Sequence, residues 1–448
     1  VTLKAFKMKA LSMITAALFS IAFAQNGATQ SMVKEYNVNG LKVIHKQVPK
    51  QVISARLYVK GGTSNYDNQL EGVENFAFNL ATTGGTTSKA KTAFLTEAEK
   101  IGANFSGNSG YDAGFMGVTC LKTYWNESWA LFADAVLNPA MDAREFDLLR
   151  EKLIANSRQE ETSPDNTLSR LAMSNTFGGT NYEKRPAGSP ESLAAITLDD
   201  VKNHYNKVLN KGNCFLVIVG DLTEAEVKEK VKSFDKLAPA STETKPFQRV
   251  LTVVEPKVYV EDRELETNYI MGRMPAPAKG TQEGVANILA MNILNDRFFT
   301  ELRTKRSLSY APSAFAAGSV QHPSNGIYIS TTDPKQSMEV MVDEINKAVN
   351  QGFTEKELRD KKQTFLTYHY MGEETVDAQA GAIGSAEIAG NWNYSQEFTN
   401  MVNQTNVGDL NRVFKKYVNK ISWTYLGKED QVRPEMFLQP KADDPIRD

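Results

Sequence analysis

A chain of 448 residues exceeds what one ordinary hydrophobic core organises, so two or more domains are expected. Its 41% hydrophobic and 23% charged residues exclude a disordered protein, and a formal charge of −2 gives no electrostatic case for nucleic acid.

Residues 1–24 read as a secretory signal peptide. Lys4, Lys7 and Lys9 form a basic start, Ala10 to Ala22 an apolar core, and Ala22-Phe23-Ala24 an A-x-A cleavage site. The apolar run is too short to span a bilayer, and Gln25 rather than Cys follows the cut, which argues against a lipoprotein. Loss of the three lysines takes the mature chain to about −5. A periplasmic or secreted protein is expected, with no membrane span after signal removal. Cys120 and Cys214 sit in apolar strand-like runs. Export permits a disulfide, but two buried free thiols are the preferred reading.

Tyr36 to Gln47 reads as a hairpin turning at Asn39-Gly40, and Val52 to Val59 as a further strand. Gly72 to Thr86 then carries helix periodicity, with Val73, Phe76, Phe78 and Leu80 as its apolar side. Asn75 and Asn79 lie four apart and share a face. Two histidines there, with a glutamate between them, would make half of a zinc site and its general base. Asn75, Phe78 and Asn79 stand in those places instead.

A helix at Thr92 to Ile101, strands at Ala103 to Ser109 and Tyr111 to Leu121, and helices at Trp125 to Leu137 and Asp142 to Glu161 follow. Pro164 and the loop Gly178 to Ser189 break the pattern. Thr197-x-x-Asp200 and Thr223-x-x-Glu226 are capping-type starts on either side of the buried strand Cys214 to Val219. Grouped strands and helices give an α+β class. The expected organisation is an N-terminal domain at 30–236, a Pro/Ser/Thr/Lys linker at 237–257 and a C-terminal domain at 258–440. The second domain repeats the first. Gly284-Val285-Ala286-Asn287 matches Gly72-Val73-Glu74-Asn75 at an offset of 212, Glu357 matches Glu145 at the same offset, and Trp423 to Gly427 echoes Phe215 to Gly220.

With these features in that order, the chain resembles the insulinase/pitrilysin family of inverted zincins, which includes the mitochondrial processing peptidase. The resemblance spans nearly the whole mature chain. It implies two homologous domains, each a mainly antiparallel sheet packed with helices, forming half of a clam-shell chamber. The family's G-x-x-H-x-x-E-H helix, followed by Gly-Thr, falls on Gly72, Asn75, Phe78, Asn79 and Gly85-Thr86, with one extra residue before Gly85. Its third zinc ligand is a glutamate seven residues after another glutamate. Glu151 matches the first of these, and Arg158 falls at the ligand position. Neutral amides, a phenyl ring and a guanidinium make no zinc site, so no cofactor is expected in this chain and the isolated chain is expected to be inactive. His45, His204, His322 and His369 are scattered and read as surface or hydrogen-bonded structural histidines. Glu71, Glu74 and Glu151, the remaining source of a metal arrangement, read as surface charges.

The second motif region is intact. Leu302-Arg303-Thr304-Lys305-Arg306-Ser307-Leu308-Ser309-Tyr310 looks like the family's L-R-x-K-x-x-L-x-Y segment, whose arginine and tyrosine hold the substrate backbone. Arginine offers a fixed fork of donors and a phenol bonds a peptide carbonyl, which gives Arg303 and Tyr310 their expected role. The blander reading is a solvated helix end and the start of a half-buried strand. The resemblance therefore implies a substrate-binding subunit, paired with a homologous zinc-bearing chain whose H-x-x-E-H is intact. The alternative is a scaffold with the peptidase fold and no proteolytic role.

Overall fold

The computed structural model describes residues 33–240 and 254–442, so the signal segment and the middle of the expected linker lie outside the described residues. In the first half, β1 (Val33–Val38), β2 (Leu41–Gln47) and β3 (Val52–Lys60) precede α1 (Val73–Thr83). The hairpin between β1 and β2 turns on Asn39 and Gly40, at φ of 50° and 94°, the left-handed pair that a two-residue turn demands. A short ribbon, β4 (Gly85–Thr86) with β5 (Lys89–Ala90), leads to α2 (Lys91–Lys100), β6 (Asn104–Ser109) and β7 (Ala113–Leu121). Five helices follow: α3 (Trp125–Leu137), α4 (Ala143–Thr162), α5 (Pro164–Phe177), α6 (Pro190–Ala195) and α7 (Leu198–Val208). Then come β8 (Cys214–Gly220) and α8 (Glu224–Val231). Pro164 stands at the expected break, where α4 ends at Thr162 and a new helix starts at once. It opens α5 at the first helical position, where its missing N–H has no partner to lose and the Ser163 side chain caps the Asn166 amide. The starts at Thr197 and Thr223 are full capping boxes.

The second half runs through β9 (Val258–Asp262), β10 (Asn268–Pro275), α9 (Gln282–Phe298), β11 (Ser313–Ala316) and β12 (Ser324–Thr331). It continues with α10 (Pro334–Asn350), α11 (Glu355–Gly372), α12 (Val376–Ile388), α13 (Tyr394–Gln404), α14 (Val407–Tyr417) and β13 (Ser422–Gly427). The first sheet has the order β1-β2-β8-β3-β7-β6 and the second β11-β12-β10-β13-β9. With β1 set aside the two orders are the same, and each sheet has one parallel pair in the equivalent place, β2 with β8 and β9 with β13. The fold is two homologous α+β domains with mainly antiparallel sheets.

Each half lends a helix to the other. α5 lays Leu168, Leu171 and Ala172 on Met271 and Leu426 of the second sheet. α12 lays Val376, Ala380 and Ile383 on Ile44, Tyr58, Phe215 and Val217 of the first. A fully buried leucine or isoleucine contributes about 2 kcal/mol, so each crossing helix is a substantial clamp. The two helices start at Pro164 and Val376, on the 212-residue repeat. The second residue of each is an aspartate that bonds the opposite sheet. Asp377 accepts from Arg56 Nη2 at 2.6 Å and Ser54 Oγ at 2.9 Å, and Asp165 accepts from the Tyr328 hydroxyl at 2.5 Å.

Candidate functional site

α1 begins at Gly72, whose φ of 91° needs glycine; a Cβ there would also lie 2.6 Å from the Gly188 Cα. One turn on, Asn75 and Asn79 share a face as the sequence requires, but each occupies the other. Asn79 Nδ2 donates to the Asn75 carbonyl at 2.8 Å and to its side-chain oxygen at 3.2 Å. Phe78, where the general base would sit, is fully buried, edge-on to Tyr205 with ring centroids 6.2 Å apart. The helix lies so close to β6 that a Cβ on Gly107 would collide with the Phe78 carbonyl.

α4 packs on α1 through Phe146, stacked on Phe76 at 4.8 Å. Glu151 and Arg158, further along α4, are both exposed, while Ser157 turns inward to the Gly188 carbonyl at 3.1 Å. These residues do not fit a zinc ion: the amide oxygens are engaged or neutral, Phe78 has no donor atom, and Arg158 carries the wrong charge. Among the described residues no group of three or more His, Cys, Asp or Glu side chains is arranged to hold a metal.

Two expectations are corrected. Glu74 is no surface charge. It is fully buried and accepts from Asn65 Nδ2 at 2.8 Å and Ser109 Oγ at 2.8 Å, with His204 Nε2 at 3.1 Å. A buried carboxylate persists only with such partners, and this set ties α1 to β6 and α7. Glu71 is half-buried, accepting from the Arg185 amide at 2.5 Å. His45 is not at the surface: it is buried, its Nε2 has no hydrogen-bond partner among the described residues, and burial pushes its pKa down to about 4. Cys120 and Cys214 are both buried and free.

The second motif region is built differently. α9 passes into a π-helical turn, Phe299–Thr304, and the chain then swings through Ser307 at φ 54°, an unusual value for a residue with a Cβ. The Leu308 amide bonds back to the Leu302 carbonyl at 2.8 Å and closes the loop. This bend folds Tyr310 onto Arg303. The guanidinium carbon lies 4.1 Å from the Tyr310 ring centroid and 4.7 Å from that of Phe299. Lys305 and Arg306 are neutralised by Glu301, each at 2.6 Å, whereas Arg303 makes no ion pair with a described residue. Tyr310 is 78% exposed. An arginine held between two rings, beside an open phenol, presents hydrogen-bond donors at the surface with little rotamer freedom left to lose.

Residues 42–189 match the model of the insulinase family, peptidase family M16, and residues 195–365 match that of the peptidase M16 inactive domain. The chain belongs to the M16 family. Among M16 relatives, an uncharacterized zinc protease of Rickettsia felis is 21% identical over 405 residues, spanning 87% of this chain and 97% of its own length. A Helicobacter pylori protein called non-peptidase homolog YmxG is 22% identical over 369 residues, spanning 80% of this chain and 84% of that one. A solved M16 inactive domain from Pseudomonas fluorescens superposes with a TM-score of 0.80 at 19% identity, covering 92% of this chain and all of the other. The chain thus carries the M16 fold with the metal-binding helix substituted. The sequence singles out Arg303 and Tyr310, which the structure brings into contact, but it gives no sign of the Glu74–His204 contact, which joins residues 130 apart. Sequence inspection also missed Arg273, although one charge inside the strand run NYIMGRMP was a visible signal.

Proposed function

We propose that this M16 chain is the non-catalytic, substrate-holding subunit of a heterodimeric zinc metallopeptidase, exported to the periplasm or beyond. Its partner is a homologous chain with an intact H-x-x-E-H, which carries the zinc and cuts. Arg303 and Tyr310 hold the peptide backbone from this side, while the substrate lies extended along a sheet edge. One observation carries the reading: a half-buried arginine is stacked on a tyrosine that is open to solvent, while every equivalent of a zinc ligand is engaged or of the wrong chemistry. The kinship with a protein called a non-peptidase homolog supports it.

The test mixes the purified chain with an H-x-x-E-H homologue from the same organism. Peptide cleavage is expected only in the mixture, with zinc on the other chain. Arg303→Ala or Tyr310→Phe should lower kcat/KM by roughly tenfold to a hundredfold, with co-elution unchanged. Assembly with unaltered turnover in both variants would leave a scaffold. Chelator-sensitive cleavage by this chain alone would refute the assignment.

A further inference from the structure

A cavity of about 380 Å³ opens between the two halves, lined by the ends of α4 and α5, the loop 183–187, Tyr111 from the β6–β7 turn and Arg273 from β10. Its size suits a small molecule or a peptide end rather than a folded partner. Arg273 is 7% exposed, yet its Nε has no hydrogen-bond partner among the described residues and its guanidinium meets the Phe315 ring at 5.5 Å. Burial lowers its pKa to about 10, opposed by Tyr111 nearby, so it stays charged at neutral pH. Arg170, on the same cavity, also has a buried Nε without a partner.

The cavity's acids do not answer these charges. Glu161 is bonded to Arg185 at 2.8 Å, which Glu160 also approaches at 3.9 Å, and Glu183 accepts from the Gly179 amide at 2.8 Å. The repeat shows what is missing. In the first half, the cation on the sheet face is Arg56, closed by Asp377 of the crossing helix. In the second half the equivalent aspartate, Asp165, is turned to the Tyr328 hydroxyl. Counting from the first residue paired to the neighbouring strand, the fifth residue of β3 is Tyr58 and the fifth of β10 is Arg273. Tyr58 is neutral and bonds the Ala380 carbonyl at 3.3 Å. The second half has therefore placed a permanent cation where the first has a phenol, and among the described residues no carboxylate pairs with it. A buried guanidinium without a counter-charge is costly to keep, and an anion that enters relieves that cost.

We propose that this seam cavity binds a carboxylate-bearing small ligand, gripped by Arg273 and Arg170 with the Tyr111 hydroxyl as a further donor. The carboxylate belongs either to a free organic acid or to the C-terminal end of a short peptide. The inference is independent of the role given to Arg303 and Tyr310. Thermal unfolding of the full mature chain, at constant ionic strength, is followed with acetate, alanylalanine, the C-terminal amide of alanylalanine, and inorganic phosphate. A saturable rise in Tm of a few degrees is expected with a carboxylate and none with the amide. Acetate acting as well as the dipeptide points to a free acid, and a much tighter dipeptide to a peptide end. Arg273→Met should abolish the rise, and Arg170→Gln, a half-buried position, should weaken binding at least tenfold if the first variant folds poorly. No saturable shift with either carboxylate, an equal shift with the amide, binding of phosphate alone, or a rise that survives in both variants would overturn the proposal.

Discussion

The motif helix α1 and the segment from Phe299 to Tyr310 show opposite fates of an inherited site. In α1 the polar side chains near the motif positions are tied to protein: Asn79 holds Asn75, and Glu74 is held by Asn65, Ser109 and His204. Phe78 fills the space between with a ring. In the other segment the chain accepts a π turn and a positive φ at Ser307, and leaves Arg303 without an ion pair to a described residue and Tyr310 open to solvent. Under the proposed function, strain and unused hydrogen-bonding capacity mark the segment that holds substrate, whereas the substituted motif helix is absorbed into the core. The contrast teaches where binding capacity remains in this chain.

That contrast is broken most severely at Phe78. Phe78→Glu restores the general-base residue of the motif but puts a carboxylate into a fully buried slot. A loss of about 4 kcal/mol in unfolding free energy is expected by guanidinium titration, with no gain in zinc content. A smaller effect is expected one turn earlier on α1, at Glu74. His204→Leu leaves the buried Glu74 carboxylate without its His204 contact, at an expected loss of about 3 kcal/mol in the same titration. Changing both residues, Glu74→Leu with His204→Leu, should recover much of that loss, because two apolar side chains demand no partners. The smallest effect belongs to the open segment. Arg303→Ala should shift stability by no more than ~0.5 kcal/mol, since its guanidinium is held only by ring contacts at the surface. If Arg303→Ala destabilised the chain as much as Phe78→Glu, the distinction between an absorbed site and an open one would fail.

Much of the fold was legible because its signals are local. Asn39-Gly40 announces the hairpin, Thr197 and Thr223 announce helix starts, and Gly284 repeats Gly72 at the offset that later brings α5 and α12 into register. Pro164 does mark the break after α4; that a new helix opens there at once was not legible, because a proline ends one helix or begins the next with equal ease and the Ser163 cap is what starts α5. Glu74 was misread because burial of a carboxylate depends on donors supplied by β6 and α7, far away in the sequence.

The amino-acid sequence by itself determined the order of strands and helices, the duplication, and the loss of zinc-binding chemistry at Asn75, Phe78 and Asn79, because each is written in residue type and short-range spacing. The tertiary structure alone decided that each half borrows a helix from the other, that Arg303 stacks on Tyr310, and that Arg273 is buried in the seam with no carboxylate paired to it among the described residues. Those outcomes depend on which surfaces meet when two similar domains close on each other. No local pattern encodes that meeting, because the partners lie in different elements and often in different halves of the chain.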